Sequence, residues 1–192
     1  MRISILFMVA FLCSFLLNAK DNLVYNGEFS QVNKKKIPYW SRQSWGPPTG
    51  EITVVPEQGG KDAVLKIVNN SVKQHSFLAQ SVRLESDTSY TISYYIKAEN
   101  IKGSTAYCGG AVYLLDKGDA LFSMGDKLYH HATGTFNWKR VEHNFRTKKL
   151  RSSSVGLVFS LRAVTGTVWY DKVRIEKKKR SNRQPRKHFF IR

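Results

Sequence analysis

The chain has 192 residues, 42% of them hydrophobic and 12% aromatic, which excludes a disordered or fibrous protein and provides for one domain with a sizeable core. The formal net charge is +17, and close to half of the excess sits in one basic run at the C-terminus. With only 14 acidic residues in the chain, an enzyme built on paired carboxylates has few groups to draw on.

The chain opens on Met1-Arg2, a positive start, followed by an almost wholly apolar run from Ile3 to Leu17 and then Asn18-Ala19. That is the three-part pattern of a secretory signal peptide over residues 1–19, with cleavage after Ala19. Its apolar run is short for a membrane span and no second one follows. Leu17 stands where a small residue is usual, so a retained anchor is the alternative. Cys13 raises a lipoprotein signal, but Phe11-Leu12 before it are bulky where small residues are wanted. Export leaves Cys108 as the one cysteine of the mature chain, hence no internal disulfide. Cys108 has no Cys or His at ligand spacing and reads as a small buried hydrophobe.

From residue 20 to 176 the chain reads as short strands punctuated by turn residues. Tyr90, Ile92, Tyr94, Ile96 and Ala98 alternate with Thr91, Ser93, Tyr95 and Lys97, a strand with one face in a core and one face wet. The same period recurs in Ala63–Val68, Leu78–Leu84, Ala106–Leu115, Val141–Arg146, Val155–Arg162 and Thr167–Ile175. Asn69-Asn70, Glu85-Ser86-Asp87, Lys117-Gly118-Asp119 and Thr165-Gly166 supply turns between them. Seven or eight such strands, with no helical stripe outside the leader, predict an all-β fold: an antiparallel β-sandwich with a jelly roll as its leading form.

Five segments in order resemble the carbohydrate-binding modules of the cellulase C type, families four, nine and twenty-two, within the galactose-binding-like jelly rolls. They are Asn22 to Phe29 with Pro38-Tyr39-Trp40, Gly60 to Ile67, Leu78 to Ala98, Trp138 to Thr147, and Gly166 to Ile175. Together they span nearly all of the domain. The resemblance implies a binding module, often attached to a glycoside hydrolase, holding a sugar chain on a concave sheet or at the loop tips. It also implies a structural calcium, held by the carbonyl of Glu28, the side chain of Ser30, the carbonyl of Lys61 and the carboxylate of Asp171. Ser30 stands where the family usually has an acid, which weakens a site for an ion that prefers carboxylate oxygens. Trp40 and Trp138 match positions that pack in the core.

Sugar binding needs flat apolar faces for pyranose rings, with amide, guanidinium or carboxylate groups for the hydroxyls. Tyr107 and Tyr113 share one strand face with Gly109 and Ala111 between them, so small residues leave both rings open as a platform. The opposite phase, with Val112 and Leu114 outward, puts both tyrosines in the core. Tyr95 joins them if its strand lies in the same sheet. Trp45, beside Gly46-Pro47-Pro48, is a loop-tip candidate, and Arg146 and Gln80 are candidates for the polar edge. His130-His131 point to opposite faces if extended and read as a surface loop.

The basic run from Lys177 to Arg192 contains no acid and reads as a disordered tail. It is either a solvated terminus or a tether to anionic cell-surface polymer. There is no Gly-x-Ser-x-Gly elbow and no phosphate loop, and Asp116, Asp119 and Asp126 cluster in one turn. The expected function is that of a monomeric, exported, non-catalytic module for a polysaccharide or glycan, with no specific nucleic-acid partner and no membrane span once the leader is removed. The alternatives are an envelope or adhesin-like sandwich that attaches through its tail and a small glycoside hydrolase or lyase.

Overall fold

The computed structural model describes residues 22–33, 36–43, 46–57, 62–103, 109–121 and 132–178. Ten strands form within them: β1 (Ser41–Gln43), β2 (Glu51–Pro56), β3 (Ala63–Asn69), β4 (His75–Arg83), β5 (Ser89–Lys102), β6 (Gly109–Asp116), β7 (Asp119–Ala120), β8 (Gly134–Arg146), β9 (Ser154–Arg162) and β10 (Thr165–Lys177). They pair into two five-stranded antiparallel sheets, one in the order β1-β4-β9-β6-β7 and the other β2-β3-β10-β5-β8. The all-β sandwich follows from the sequence pattern: β-branched and aromatic residues recur at every second position and so cover one face of each strand. The short strands β1, β2 and β7 were not among the expected set.

The predicted phase of residues 90–98 is the observed one. Tyr90, Ile92, Tyr94, Ile96 and Ala98 are buried in the core, against Leu65, Ile67, Val168 and Tyr170 of their own sheet. The facing sheet contributes Leu78, Val82, Leu114, Leu157, Phe159 and Leu161. Phe159 lies edge-on to Tyr170 at 4.7 Å and to Trp40 at 5.5 Å, and Trp40 meets Phe29 at 5.4 Å. These tilted contacts suit the ring quadrupole, and they place Trp40 in the core as expected.

Several polar groups that enter the interior bond across it. Asn69 on β3 donates to the Leu161 carbonyl of the opposite sheet at 2.9 Å, and its Oδ1 accepts from Ser76 at 2.7 Å. Tyr170 reaches across to donate to the Ser160 carbonyl at 3.1 Å. At the N-terminal end, Val173 N–H donates to the Gly27 carbonyl at 2.9 Å. A Cβ on Gly27 would fall 2.2 Å from the Val173 carbonyl oxygen, so only glycine permits that approach. Lys117 (φ 50°) and Gly118 (φ 89°) close the β6–β7 hairpin, both left-handed as a tight hairpin turn requires.

The boundary of the expected tail shifts. Lys177 belongs to β10 and its ammonium lies 2.7 Å from Glu85, while Lys178 N–H donates to the Ser89 carbonyl at 2.9 Å. Backbone pairing and an acid on β5's approach therefore order two residues that the charge run had assigned to the tail. The rest of that run lies outside the described residues.

Candidate functional site

Strands β4, β9 and β6 turn alternate residues away from the core, and register sets those residues in rows. Ala79, Val158 and Tyr113 form one row; Phe77, Ser160 and Ala111 the next, with Gln43 of β1 at its edge; His75, Arg162 and Gly109 a third. Val112 and Leu114 point the other way, against the core. This fixes the phase that the sequence left open, with Tyr113 on the outward face and in line with Gly109 and Ala111. Although it faces outward, this surface is shielded, for Phe77, Ala111, Val158 and Ser160 are all buried. Tyr113 is half-buried beside these residues, and His75, Arg162 and Gln43 stand in the neighbouring rows. Burial, and then the Arg162 guanidinium, hold the His75 imidazole below its ordinary pKa, so it is neutral at neutral pH and offers one donor and one acceptor.

The other expected site residues do not gather there. Tyr107 and Trp45 lie outside the described residues. Tyr95 is on β5, in the opposite sheet, so it cannot share a platform with Tyr113; its ring lies 6.0 Å from the Lys172 ammonium. Arg146, at the end of β8 opposite Ser89, belongs to that second sheet too. Gln80 is only 4% exposed. Its phase is that of Leu78 and Val82, and both ends of its amide are engaged: Oε1 accepts from Tyr25 N–H at 2.8 Å and Nε2 donates to the Tyr25 carbonyl at 2.7 Å. It clamps the N-terminal segment and is not available to a hydroxyl. Trp138 is half-buried and not part of the core. A β-bulge between Ile96 and Ala98 sets Asn137 and Trp138 together opposite Lys97, which turns the indole outward.

Of the expected calcium donors, Glu28 and Asp171 lie on segments joined by the Val173–Gly27 hydrogen bond. The Asp171 carboxyl is buried; its Oδ1 accepts from Lys172 N–H at 2.6 Å, and the Lys172 ammonium stands 3.8 Å from Oδ2 and 3.3 Å from Asp62. Burial, outweighing those contacts, pushes the Asp171 pKa up to about 6. The Glu28 carboxylate faces Arg174 at 3.8 Å, Ser30 is exposed, and Lys61 lies outside the described residues. Among the described residues no three acids, histidines or cysteines gather as a metal would need. The one carboxylate of the expected set is already matched to the Lys172 ammonium, which weakens the set further for an ion that prefers carboxylate oxygens.

Two aromatic residues escaped the sequence reading. Tyr25 and Tyr39 are 63% and 61% exposed, and their rings stack 5.2 Å apart at an interplanar angle of 26°. Both lie in turns, where no periodicity marks a face. The acids expected to cluster are present but engaged: Asp116 Oδ2 accepts from Arg151 N–H at 2.7 Å, and the Arg151 guanidinium pairs with Asp119. Asp126 lies outside the described residues.

No family model matches the chain, and no curated protein matches it. Solved structures do. A family 4 carbohydrate-binding module is 16% identical with a TM-score of 0.58, the match covering 81% of this chain and 99% of that one. A family 61 module described in complex with β-1,4-galactotriose is 16% identical with a TM-score of 0.50, covering 82% and 99%. The enzymatically active domain of tailspike protein 4 from bacteriophage CBA120 is 14% identical with a TM-score of 0.60; that match spans 82% of this chain but only 21% of the tailspike chain. The chain thus has the jelly-roll β-sandwich fold of carbohydrate-binding modules.

Proposed function

We propose that this protein is a non-catalytic glycan-binding module whose sugar chain lies along the outward face of the β1-β4-β9-β6-β7 sheet, against Tyr113. The observation that carries the reading is the phase of β6: Tyr113 is turned out of the core beside Gly109, Ala111 and Val158. A pyranose would stack on the half-buried Tyr113 ring, and the His75, Arg162 and Gln43 side chains in the neighbouring rows would meet its hydroxyls. The engagement of Asp116 and Asp119 by Arg151 favours binding over hydrolysis, because neither acid is poised across a cleft from another. We further place the protein outside the cytoplasm, with residues 1–19 as its leader.

Titration calorimetry against neutral β-linked oligosaccharides, galactotriose among them, tests the reading. Tyr113→Ala should weaken binding by about 1 kcal/mol or more while the melting temperature changes little. Unchanged affinity in a stable Tyr113→Ala protein overturns the site. Release of reducing ends from any of these sugars overturns the non-catalytic reading.

A further inference from the structure

A cavity of about 600 Å³ opens beside the exposed Tyr25–Tyr39 pair, at the β1 edge of the sandwich, lined by Lys36, Pro38, Tyr39, Trp40 and Arg42 among others. The frame beneath it is rigid. Asn26 donates to the carbonyls of Gln31 and Pro38 and accepts from Gln31 N–H, and Trp40 Nε1 donates to the Asn26 carbonyl at 3.2 Å. The Gln80 amide fixes the Tyr25 backbone from both sides. Tyr39 itself sits at φ 70°, a left-handed conformation that is uncommon and costly for a bulky residue and that persists only where surrounding bonds impose it. The chain therefore spends conformational energy to hold a large ring out in water.

The charged residues that line the cavity, Lys36 and Arg42, are of one sign. No described residue lining the cavity is acidic, and among the described residues no carboxylate lies within ion-pair distance of Lys36 or Arg42. One guanidinium nitrogen of Arg42 donates to the Ile52 carbonyl at 2.5 Å, which anchors the fork and leaves further N–H groups for a ligand. Stacked rings exposed over more than half their surface, a concave pocket beside them and two cations lacking an acid are the complement of a sugar ring that carries a carboxylate.

We propose that this edge is a second binding site, separate from the sheet face around Tyr113, and that it takes a uronic acid residue of an acidic polysaccharide. The ring stacks on Tyr39 and Tyr25, and its carboxylate meets Lys36 and Arg42. This assigns part of the affinity of a highly basic chain to a built pocket in the domain instead of to the basic run beyond Lys178.

The test uses the full chain with tetragalacturonate and its fully methyl-esterified counterpart, which keeps the skeleton and removes the charge. Tetragalacturonate should bind, and the ester should bind about tenfold more weakly or not at all, the usual effect of losing a charge-assisted hydrogen bond. Tyr39→Ala should weaken tetragalacturonate binding by about tenfold or more, as should the Lys36→Gln/Arg42→Gln pair, which should also flatten its salt dependence. Tyr113→Ala should leave it unchanged, whether or not that substitution affects neutral sugars. Unaltered binding in a folded Tyr39→Ala protein overturns the proposal and assigns the affinity to the basic run. Equal binding of acid and ester, no binding of either, or loss with Tyr113→Ala overturns it too. Melting temperatures of each variant, together with retained binding of neutral sugars, separate loss of the site from loss of the fold.

Discussion

The two sheets turn different surfaces outward, although the same alternation builds both. On the outer side of β4, β9 and β6, Ala111, Val158 and Ser160 near Tyr113 are buried, and its row holds no lysine. On the outer side of the second sheet, register sets Lys97 and Lys66 on either side of Trp169. Their ammonium groups lie 5.0 and 5.8 Å from the indole centroid, and Lys172 stands over Tyr95. The aromatic content is comparable, but on the second face the rings are already matched to cations of the same chain.

The contrast depends on strand phase, and adjacent tyrosines on β5 test it hardest. Tyr94 is buried and meets Phe159 and Tyr170 edge-on; Tyr95 points to the second outer face and is 36% exposed. Tyr94→Ala should cost about 3–5 kcal/mol in denaturant unfolding, the range for emptying a buried aromatic site. Tyr95→Ala should cost under about 1 kcal/mol. Similar losses from the two would mean that the face assignment of β5 is wrong, and the comparison with it.

A second test concerns the buried acid of the second face. The Asp171 pKa is raised to about 6 from an ordinary 3.8, chiefly by burial. The fold then holds the proton more tightly than the unfolded chain does. Its contribution to stability is fully present below about pH 4 and is lost as the pH rises through about 6. At about 1.4 kcal/mol per unit, Asp171→Asn should be more stable than the parent at pH 7.5 by up to about 3 kcal/mol, and the gain should vanish near pH 4. If no calcium is held beside Asp171, EDTA should leave this profile unaltered. A parent protein that is stabilised by calcium and that loses its pH dependence when calcium is added would restore the metal site.

Much of the fold was legible because it is local. The phase of residues 90–98 could be read from alternation alone, as could the turns at Asp87, Lys117 and Gly166, where the backbone takes positive φ. Sheet membership is not local: nothing within β5 or β6 says that each pairs in a different sheet, so alternation leaves open whether Tyr95 joins Tyr113. Gln80 shares the phase of Leu78 and Val82, so its inward direction was available from the pattern, and its amide type drew attention away. The outward turn of Trp138 depends on one bulge residue, and the exposure of Tyr25 and Tyr39 depends on turn geometry. Neither leaves a period in the sequence.

A smaller effect than that at Asp171 falls on Trp169, which carries the comparison most directly. If Lys66 and Lys97 occupy its faces, removing the ring should cost only the two cation–π contacts and part of its burial, about 1–2 kcal/mol in all. The cost should shrink if both lysines are first replaced by glutamine, since the ring then has no cations to hold. Affinity for neutral glycans should be the same in Trp169→Ala as in the parent, because the indole is engaged by its own chain and lies on the sheet opposite Tyr113. A large loss of glycan affinity in a stably folded Trp169→Ala protein would mean that a sugar displaces the lysines. The second face would then be the binding surface, and the first a shielded part of the scaffold.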